Sequence, residues 1–269
     1  MTFMVASAIK KNNVKILGNI HGNQTIVFGH GFGTDHTAWR FIEDAFQTDY
    51  RLVTYDNVGA SDATLDAYSQ TRYTMIDSYA DDLVDLCDEL DIRDAVYIGH
   101  SVSGMVGLLA SNKAPEFFSK HVFMNASPRY LNDIDYVGGF NQFDLNDLYQ
   151  GMANNYYAWA SGFAAYAMGN PESPQLADEF ARTLSAIRPD IALAVSKAIF
   201  ESDNRKYLAS FNKESLLIQC KKDIAVPLEV GQYLNKHITN SQLLLIEAEG
   251  HFPHISAPQE VIKAIQSFI

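Results

Sequence analysis

A single serine in a short turn constrains the fold of this chain more than any other feature. The turn, Gly99-His100-Ser101-Val102-Ser103, follows the apolar run 95–98 and opens the small, apolar stretch 105–110. A strand, a one-serine turn and a helix form the layout of a nucleophile elbow, which holds the serine hydroxyl clear of the sheet. Small residues are needed there because the strand and the helix nearly touch. The usual pattern is G-x-S-x-G, whereas Ser103 holds the fifth position here and Gly104 follows it.

Short apolar runs alternate with helical patterns along most of the chain. The clearest helix covers 75–90, and the last helix starts after Ser256 with Pro258 in its first turn. This alternation is typical of a mostly parallel sheet with helices on both faces. We therefore predict an α/β fold with an eight-stranded, mostly parallel sheet flanked by helices. The predicted strands are two short ones within 5–17, around positions 10–13, and then 25–29, 51–55, 95–99, 121–125, 215–220 and 242–247.

The alternation stops between the sixth predicted strand and about Pro189. Residues 127–189 contain aromatic-rich helical stretches, such as 148–152 and 156–160, and no run typical of a strand. We expect this insertion to form a helical lid over the end of the sheet where the serine lies, excluding water and shaping an apolar pocket. The core is then formed by 1–126 and 190–269.

A serine nucleophile needs a base, and the base needs an acid that orients it. Asp223 follows the apolar run 215–220, and His251 follows the run 242–247. Both residues therefore come just after predicted parallel strands, at the edge where open α/β sheets place their sites. The chain order serine, acid, histidine also fits a hydrolase of this design. Ser101, Asp223 and His251 are the predicted catalytic residues, with His254 and His30 as alternative bases.

The backbone donors for an oxyanion are expected early in the chain. His30-Gly31-Phe32-Gly33 follows the strand candidate 25–29, and its glycines allow the backbone to turn N–H groups towards the site. We assign the two oxyanion donors to the backbone amides of Phe32 and Val102. Asp56, just after the strand candidate 51–55, is expected to fix a loop.

Composition excludes several other classes of protein. The formal net charge of −12 argues against binding to nucleic acid or to anionic membranes. Two cysteines fit a reducing compartment, and with no leader or long apolar span found, a cytoplasmic protein is expected. The chain carries no nucleotide-binding or metal-binding motif, so no cofactor and no metal are expected. We also expect a monomer.

Several segments beyond the elbow resemble one branch of the α/β-hydrolase superfamily. That branch holds the bacterial stress regulator RsbQ and the plant karrikin and strigolactone receptors. The resemblance covers nearly the whole chain, and the seven-residue segment 127–133 is far more specific than the elbow. The matching segments are His30-Gly31-Phe32-Gly33-Thr34-Asp35, Tyr55-Asp56-Asn57-Val58-Gly59-Ala60, the elbow, Ser127-Pro128-Arg129-Tyr130-Leu131-Asn132-Asp133, Asp135-Tyr136-Val137-Gly138-Gly139-Phe140 and Arg188-Pro189-Asp190-Ile191-Ala192-Leu193.

The resemblance implies a four-helix lid over a deep apolar pocket and slow hydrolysis of small apolar esters or butenolide-type lactones. Ser103 at the fifth elbow position looks like the karrikin-receptor version of the motif. The alternative implied function is a ligand receptor or signalling regulator that acts on a protein partner through the lid. A carbon–carbon bond hydrolase and a cofactor-free haloperoxidase use the same three catalytic residues and stay open as weaker alternatives. By position, the pocket is expected to be lined by Phe32, Tyr130, Phe140, Trp159, Phe163 and Phe200.

Overall fold

A seven-stranded sheet forms the centre of the computed structural model, which describes residues 7–22 and 24–269. The strands lie in the order β1-β3-β2-β4-β5-β6-β7, where β1 pairs antiparallel with β3 and the remaining neighbours pair in parallel. The carboxyl ends of β2 to β7 therefore meet at one edge of the sheet. The strands are β1 Lys15–Gly18, β2 Thr25–Gly29, β3 Arg51–Tyr55, β4 Ala95–His100, β5 Phe118–Met124, β6 Glu214–Lys222 and β7 Ser241–Glu249.

Helices cover the connections between the strands. Within the described residues, no helix combines the length and the apolar character needed to cross a membrane. The α-helices are α1 Ala8–Lys11, α2 Asp77–Glu89, α3 Val102–Lys113, α4 Gln142–Asn154, α5 Tyr156–Met168, α6 Pro174–Ala186, α7 Pro189–Phe200, α8 Leu228–His237, α9 Pro253–Ser256 and α10 Pro258–Gln266. Short 3-10 helices cover His36–Trp39, Glu43–Ala45, Asp62–Ala67 and Arg205–Tyr207.

The predicted α/β fold is confirmed, but the count of eight strands is wrong for the described residues. The predicted first strand would precede position 10, and its described part forms the helix α1 instead. The carboxylate of Glu89 at the end of α2 accepts hydrogen bonds from the Ser7 hydroxyl and the Ala8 N–H. This contact between distant parts of the chain satisfies a free donor at the start of α1, and no local pattern reveals it. Residues 5 and 6 lie outside the described residues.

The inner strands β2 to β6 are largely buried on both faces of the sheet, which explains why they are almost continuously apolar, whereas the edge strands β1 and β7 are mostly exposed. Side chains at alternate positions enter different cores, because successive residues of a strand point to opposite faces. Val27, for example, packs in the core that contains α2 and α3, whereas Ile26 and Phe28 pack with Trp39 and the helix α10. The two cores hold the strand ends, and hence the loops at the carboxyl edge, in place.

Four helices, α4 to α7, lie between β5 and β6, and we call them the lid helices. The predicted lid segment 127–189 contains α4 to α6, and α7 begins at its last residue. The lid helices share an apolar cluster that also includes Phe252 and Ile255, just after His251. The division of the chain into a core and a lid stays a prediction.

Candidate active site

Ser101 occupies the sharp turn between β4 and α3. Its backbone angles, φ +55° and ψ −125°, are unfavourable for a residue with a side chain and cost on the order of 1–3 kcal/mol. The Ser101 N–H donates to the Met124 carbonyl at 2.9 Å, so the neighbouring strand β5 helps to hold the turn. The residue is 5% exposed. Strand and helix therefore present the hydroxyl at the carboxyl edge of the sheet.

Gly99 leaves no space for a side chain beside the elbow. A Cβ there would lie 2.6 Å from the backbone carbonyl atoms of Ser103. We expect Gly99→Ala to displace α3 and to lower the free energy of unfolding by more than about 2 kcal/mol. The matched control is Gly162→Ala in α5, where an added Cβ meets nothing within 4 Å. That variant is expected to gain about 0.5–1 kcal/mol through helix propensity, and urea unfolding of both variants measures the difference. Equal stability of the two variants would contradict this description of the elbow.

The structure brings Ser101, His251 and Asp223 into one hydrogen-bonded chain. His251 Nε2 lies 2.8 Å from Ser101 Oγ, and His251 Nδ1 lies 2.8 Å from Asp223 Oδ2. The Asp223 side chain is fully buried, and its second oxygen accepts the N–H groups of Ala225 and Val226 at 2.8 and 3.1 Å. A buried carboxylate with these partners fixes the orientation of the imidazole, which can then accept a proton from the serine.

The backbone around His251 is bonded to the lid helices. The His251 N–H donates to the carbonyl of Ala167 in α5 at 2.8 Å, and Asn170 Nδ2 donates to the Glu249 carbonyl, also at 2.8 Å. Gly250 has φ +87°, and a Cβ there would lie 1.9 Å from the carbonyl oxygen of Met168. Only glycine allows this close approach. The end of α5 thus holds the loop that carries the histidine.

Sequence analysis missed Asn125 and His100 as supports of this loop. Asn125 Nδ2 lies 3.2 Å from the His251 carbonyl, and Asn125 Oδ1 accepts the Cys220 N–H of β6 at 2.9 Å. His100 Nε2 lies 2.7 Å from the same His251 carbonyl. A buried amide directly after a strand was the available signal, because polar side chains at the carboxyl edge of a sheet often serve the site.

The two assigned oxyanion residues lie on either side of the serine turn. Val102 is the first residue of α3, where a helix leaves its N–H groups free for an anion. Phe32 belongs to the loop after β2. A Cβ on the preceding Gly31 would lie 2.5 Å from His100 Nδ1 and 3.2 Å from Ser101 Cβ, so this loop touches the elbow. The oxyanion role of the two amides stays a prediction.

The two alternative bases take other positions. His30 Nε2 accepts the Asn57 N–H at 2.9 Å, so that nitrogen is occupied away from Ser101. His254 is fully buried, and its ring lies against Trp39 with 4.7 Å between the centroids. Burial lowers the pKa of His254 to about 3, which makes it a poor proton acceptor at neutral pH. His251 is the histidine that the structure places on the serine hydroxyl.

A narrow cavity with mostly apolar walls opens at Ser101 and His251. Four of the six predicted pocket residues, Phe32, Tyr130, Phe163 and Phe200, line it. The Tyr130 hydroxyl lies 3.2 Å from Ser101 Oγ, a contact that sequence analysis did not foresee. The cavity is completed by Ala167, Phe180, Ile199, Ala225 and Phe252.

The other two predicted pocket residues, Phe140 and Trp159, do not line this cavity but pack behind side chains that do. The Phe140 ring packs against Phe200 at 5.4 Å between centroids, and Trp159 stacks on Phe163 at 4.9 Å. In this structure they support the wall of the cavity.

Asp56 ties three segments together near the loop after β2. Its carboxylate accepts the N–H and Nδ1–H of His36 at 2.8 and 2.7 Å, and also bonds from Asn13 and Ser61. Burial disfavours the charge, but these hydrogen bonds outweigh it and lower the pKa of the Asp56 carboxyl. With Asp35, these side chains place three potential metal-ligand atoms within 4.8 Å. Because the Asp56 oxygens already have protein partners, the cluster is explained as a loop anchor.

Comparisons with known proteins extend over nearly the whole chain. The family model described as "Alpha/beta hydrolase family" matches residues 26–264. The chain is 43% identical to karrikin insensitive 2 receptor CA of Petunia hybrida and 41% identical to strigolactone esterase D14 of Arabidopsis thaliana. Each comparison covers 94% of both proteins. A solved structure of a hydrolase from Oleispira antarctica has a TM-score of 0.93 at 34% identity, covering 97% of this chain and 95% of that one.

Proposed function

The chain belongs to the alpha/beta hydrolase family, and from this premise we propose that it is a serine hydrolase of small apolar esters or butenolide-type lactones. One observation carries the proposal: Ser101, His251 and Asp223 are joined by two hydrogen bonds of 2.8 Å each, and Ser101 faces an apolar cavity. A free serine hydroxyl is a weak nucleophile, and an oriented imidazole activates it.

In the first half of the reaction, Ser101 Oγ attacks the carbonyl carbon of the ester. His251 Nε2 takes the hydroxyl proton, and the buried Asp223 stabilises the imidazolium that forms. The carbonyl oxygen becomes an oxyanion, which the N–H groups of Phe32 and Val102 stabilise. The carbon–oxygen bond to the leaving alcohol then breaks, and His251 returns the proton to that alcohol.

In the second half, water releases the acyl group. His251 takes a proton from the water as it attacks the acyl-serine carbonyl, and the same two amides receive the second oxyanion. The bond between the acyl group and Ser101 Oγ breaks, and the proton on His251 returns to the serine. Loss of one oxyanion donor typically costs about 3–4 kcal/mol of transition-state stabilisation.

The walls of the cavity select the substrate class. Phe163, Phe180, Phe200 and Phe252 offer aromatic surface but no charge to pair with an anionic substrate. Besides His251 Nε2 at 2.8 Å, the Tyr130 hydroxyl lies within hydrogen-bond distance of Ser101 Oγ, at 3.2 Å. Two relatives carry the names karrikin insensitive 2 receptor and strigolactone esterase, and compact lactones fit the apolar walls of this cavity.

A comparison of ester chain lengths tests the substrate class. We expect p-nitrophenyl acetate and butyrate, and a fluorogenic butenolide probe, to have kcat/KM values at least about tenfold above p-nitrophenyl decanoate and the charged p-nitrophenyl succinate. The apolar, closed-in walls favour short uncharged acyl groups. Steady-state product release measures the series. Preference for the decanoate or the succinate would contradict the proposed substrate class.

A second candidate function is a ligand receptor in which hydrolysis serves signalling through a protein partner. Two hydrogen bonds favour it: the His251 N–H donates to the Ala167 carbonyl of α5, and Asn170, just after α5, donates to the Glu249 carbonyl, so the end of this lid helix is connected to the loop of the proposed catalytic histidine. A displacement of the His251 backbone during the reaction would therefore be transmitted to the lid helices through these bonds. The Petunia relative is itself named a receptor.

Turnover and melting temperature with the butenolide probe separate the two functions. A receptor is expected to give few turnovers, a persistent adduct on Ser101 or His251 and a lower melting temperature. A plain hydrolase is expected to turn over repeatedly with no shift. In the receptor case, Asn170→Ala should reduce the shift, whereas Asn240→Ala, which removes a bond to the Asn212 carbonyl away from the lid, should retain it. Equal shifts in both variants would contradict coupling through α5.

A further inference from the structure

The peptide group between Gly31 and Phe32 carries one of the proposed oxyanion donors. A peptide is planar and trans, so the direction of the Gly31 carbonyl fixes the opposite direction of the Phe32 N–H. Two side chains bond this carbonyl, His30 Nδ1 at 2.8 Å and the Thr34 hydroxyl at 2.9 Å, and the Thr34 N–H donates to it more weakly at 3.4 Å. As long as both bonds hold, the Phe32 N–H points away from them.

The His30 ring can donate to this carbonyl only in one neutral form. Its Nε2 accepts the Asn57 N–H at 2.9 Å, which leaves the hydrogen on Nδ1. Burial lowers the pKa of His30, so the neutral ring is retained. The tautomer that Asn57 selects is therefore the one that donates to the Gly31 carbonyl.

Ser103 holds the backbone of His30 itself. Ser103 is fully buried in the first turn of α3, and its hydroxyl donates to the His30 carbonyl at 2.5 Å. Asn57 Nδ2 reaches the same carbonyl at 3.2 Å and lies 3.4 Å from Ser103 Oγ. The serine thus links the helix that begins beside the nucleophile to the loop that carries the other oxyanion donor.

We propose that Ser103 is a positioning residue of the oxyanion hole, acting through His30 on the Gly31–Phe32 peptide. This inference rests on the proposed hydrolase function. It gives a role to the residue at which the elbow departs from G-x-S-x-G, since a glycine there offers no donor. Ser103 does not touch the substrate. It keeps the two N–H donors, one on the loop after β2 and one on α3, in a fixed relative position.

Removal of the Ser103 hydroxyl tests this role. In Ser103→Ala we expect kcat for p-nitrophenyl acetate to fall about tenfold or more with KM unchanged, because oxyanion bonds form in the transition state. Thr34→Val, which removes a bond at the Gly31 carbonyl, should act in the same direction and serves if Ser103→Ala does not fold. The matched control is Ser111→Ala, a buried serine of the same helix that bonds His121 at 2.7 Å. It should keep the wild-type kcat.

The ratio of kcat/KM for an oxygen ester to kcat/KM for the matched thionoester distinguishes positioning of the oxyanion donors from a general structural effect. A thionoester develops its charge on sulfur, which accepts hydrogen bonds weakly and gains little from an oxyanion hole. We compare kcat/KM for matched oxygen esters and thionoesters, with active enzyme counted by fluorophosphonate titration. The ratio should fall about tenfold in Ser103→Ala and Thr34→Val, and stay constant in Ser111→Ala.

Two results would overturn the proposal. One is a Ser103→Ala enzyme with a kcat within twofold of wild type. The other is a loss of kcat that is equal for the ester and the thionoester, which would assign Ser103 to stability alone. A wild type that releases no product from the oxygen ester is a separate result, and it overturns the proposed hydrolase function itself.

Discussion

Replacing Ser101 with alanine is expected to lower kcat/KM for p-nitrophenyl acetate by at least about four orders of magnitude. In the proposed mechanism the Ser101 hydroxyl forms the bond to the acyl group, and it lies 2.8 Å from His251 Nε2. His251 and the proposed oxyanion donors remain, so a slow attack by water is the residual reaction expected. The stability of the variant should change little, because the lost hydroxyl is small.

Ser196→Ala is the matched control for this variant. Ser196 is also buried, and its hydroxyl donates to the Leu193 carbonyl within α7, away from Ser101. The control should keep wild-type kinetics while its melting temperature reports the cost of losing a buried hydroxyl. A Ser101→Ala enzyme that keeps more than about 1% of wild-type kcat/KM would contradict the role of Ser101.

Acid is expected to unfold the protein because several histidines are buried in their neutral form. Burial lowers the pKa of His121 and His254 to about 3 and that of His100 well below its ordinary value. Below pH 6.5 the unfolded chain binds protons at these residues and the folded chain does not. The contribution of these three histidines to stability is therefore present above pH 6.5 and is lost as the pH decreases towards 3, by about 3–4 kcal/mol between pH 6 and 5 for the three together.

The ionisation of His36 and the net charge of the protein also affect how stability depends on pH. The hydrogen bond to Asp56 raises the pKa of His36, so its contribution to stability is present below pH 6.5 and is lost as the pH rises through the folded pKa. The net charge of −12 also becomes less negative on acidification, which relieves the repulsion between negative charges in the folded state. A single-site comparison removes both effects from the measurement.

Urea unfolding of His121→Phe and of the wild type at pH 7, 6 and 5 provides that comparison. The variant should lose about 1 kcal/mol less than the wild type between pH 6 and 5, because one buried imidazole is absent. His21→Gln is the control, since its exposed side chain meets water in both states. An identical pH dependence in wild type and His121→Phe would contradict the expected role of the buried imidazole.

Much of the fold could be predicted because its signals are local. The strands 25–29 and 51–55 match β2 and β3 residue for residue, since short apolar runs between turns leave little choice. The resemblance to the α/β-hydrolase superfamily and to the plant receptors is confirmed by the comparisons. The described helix α1 could not be predicted, because its first turn depends on Glu89, about 80 residues away.

The same distinction applies to the site. Ser101, Asp223 and His251 each follow a predicted strand, so their places at one edge could be inferred from chain order. The contact of the Tyr130 hydroxyl with Ser101, and the bonds from Asn125 to the His251 loop, depend on how loops from distant segments meet. The bond from Ser103 to the His30 carbonyl is of the same kind. The sequence shows Ser103 only as a departure from G-x-S-x-G, whereas the structure shows the contact on which its proposed positioning role rests.

The most direct test of the account is to locate the residue that a fluorophosphonate modifies. The account predicts one covalent label per chain, on the peptide that contains Ser101, by intact-protein mass and peptide mapping. Pretreatment with p-nitrophenyl acetate should slow the labelling, and Ser101→Ala should take no label. A wild type that stays unlabelled, or a label on another residue, would contradict the assignment of Ser101 as the nucleophile.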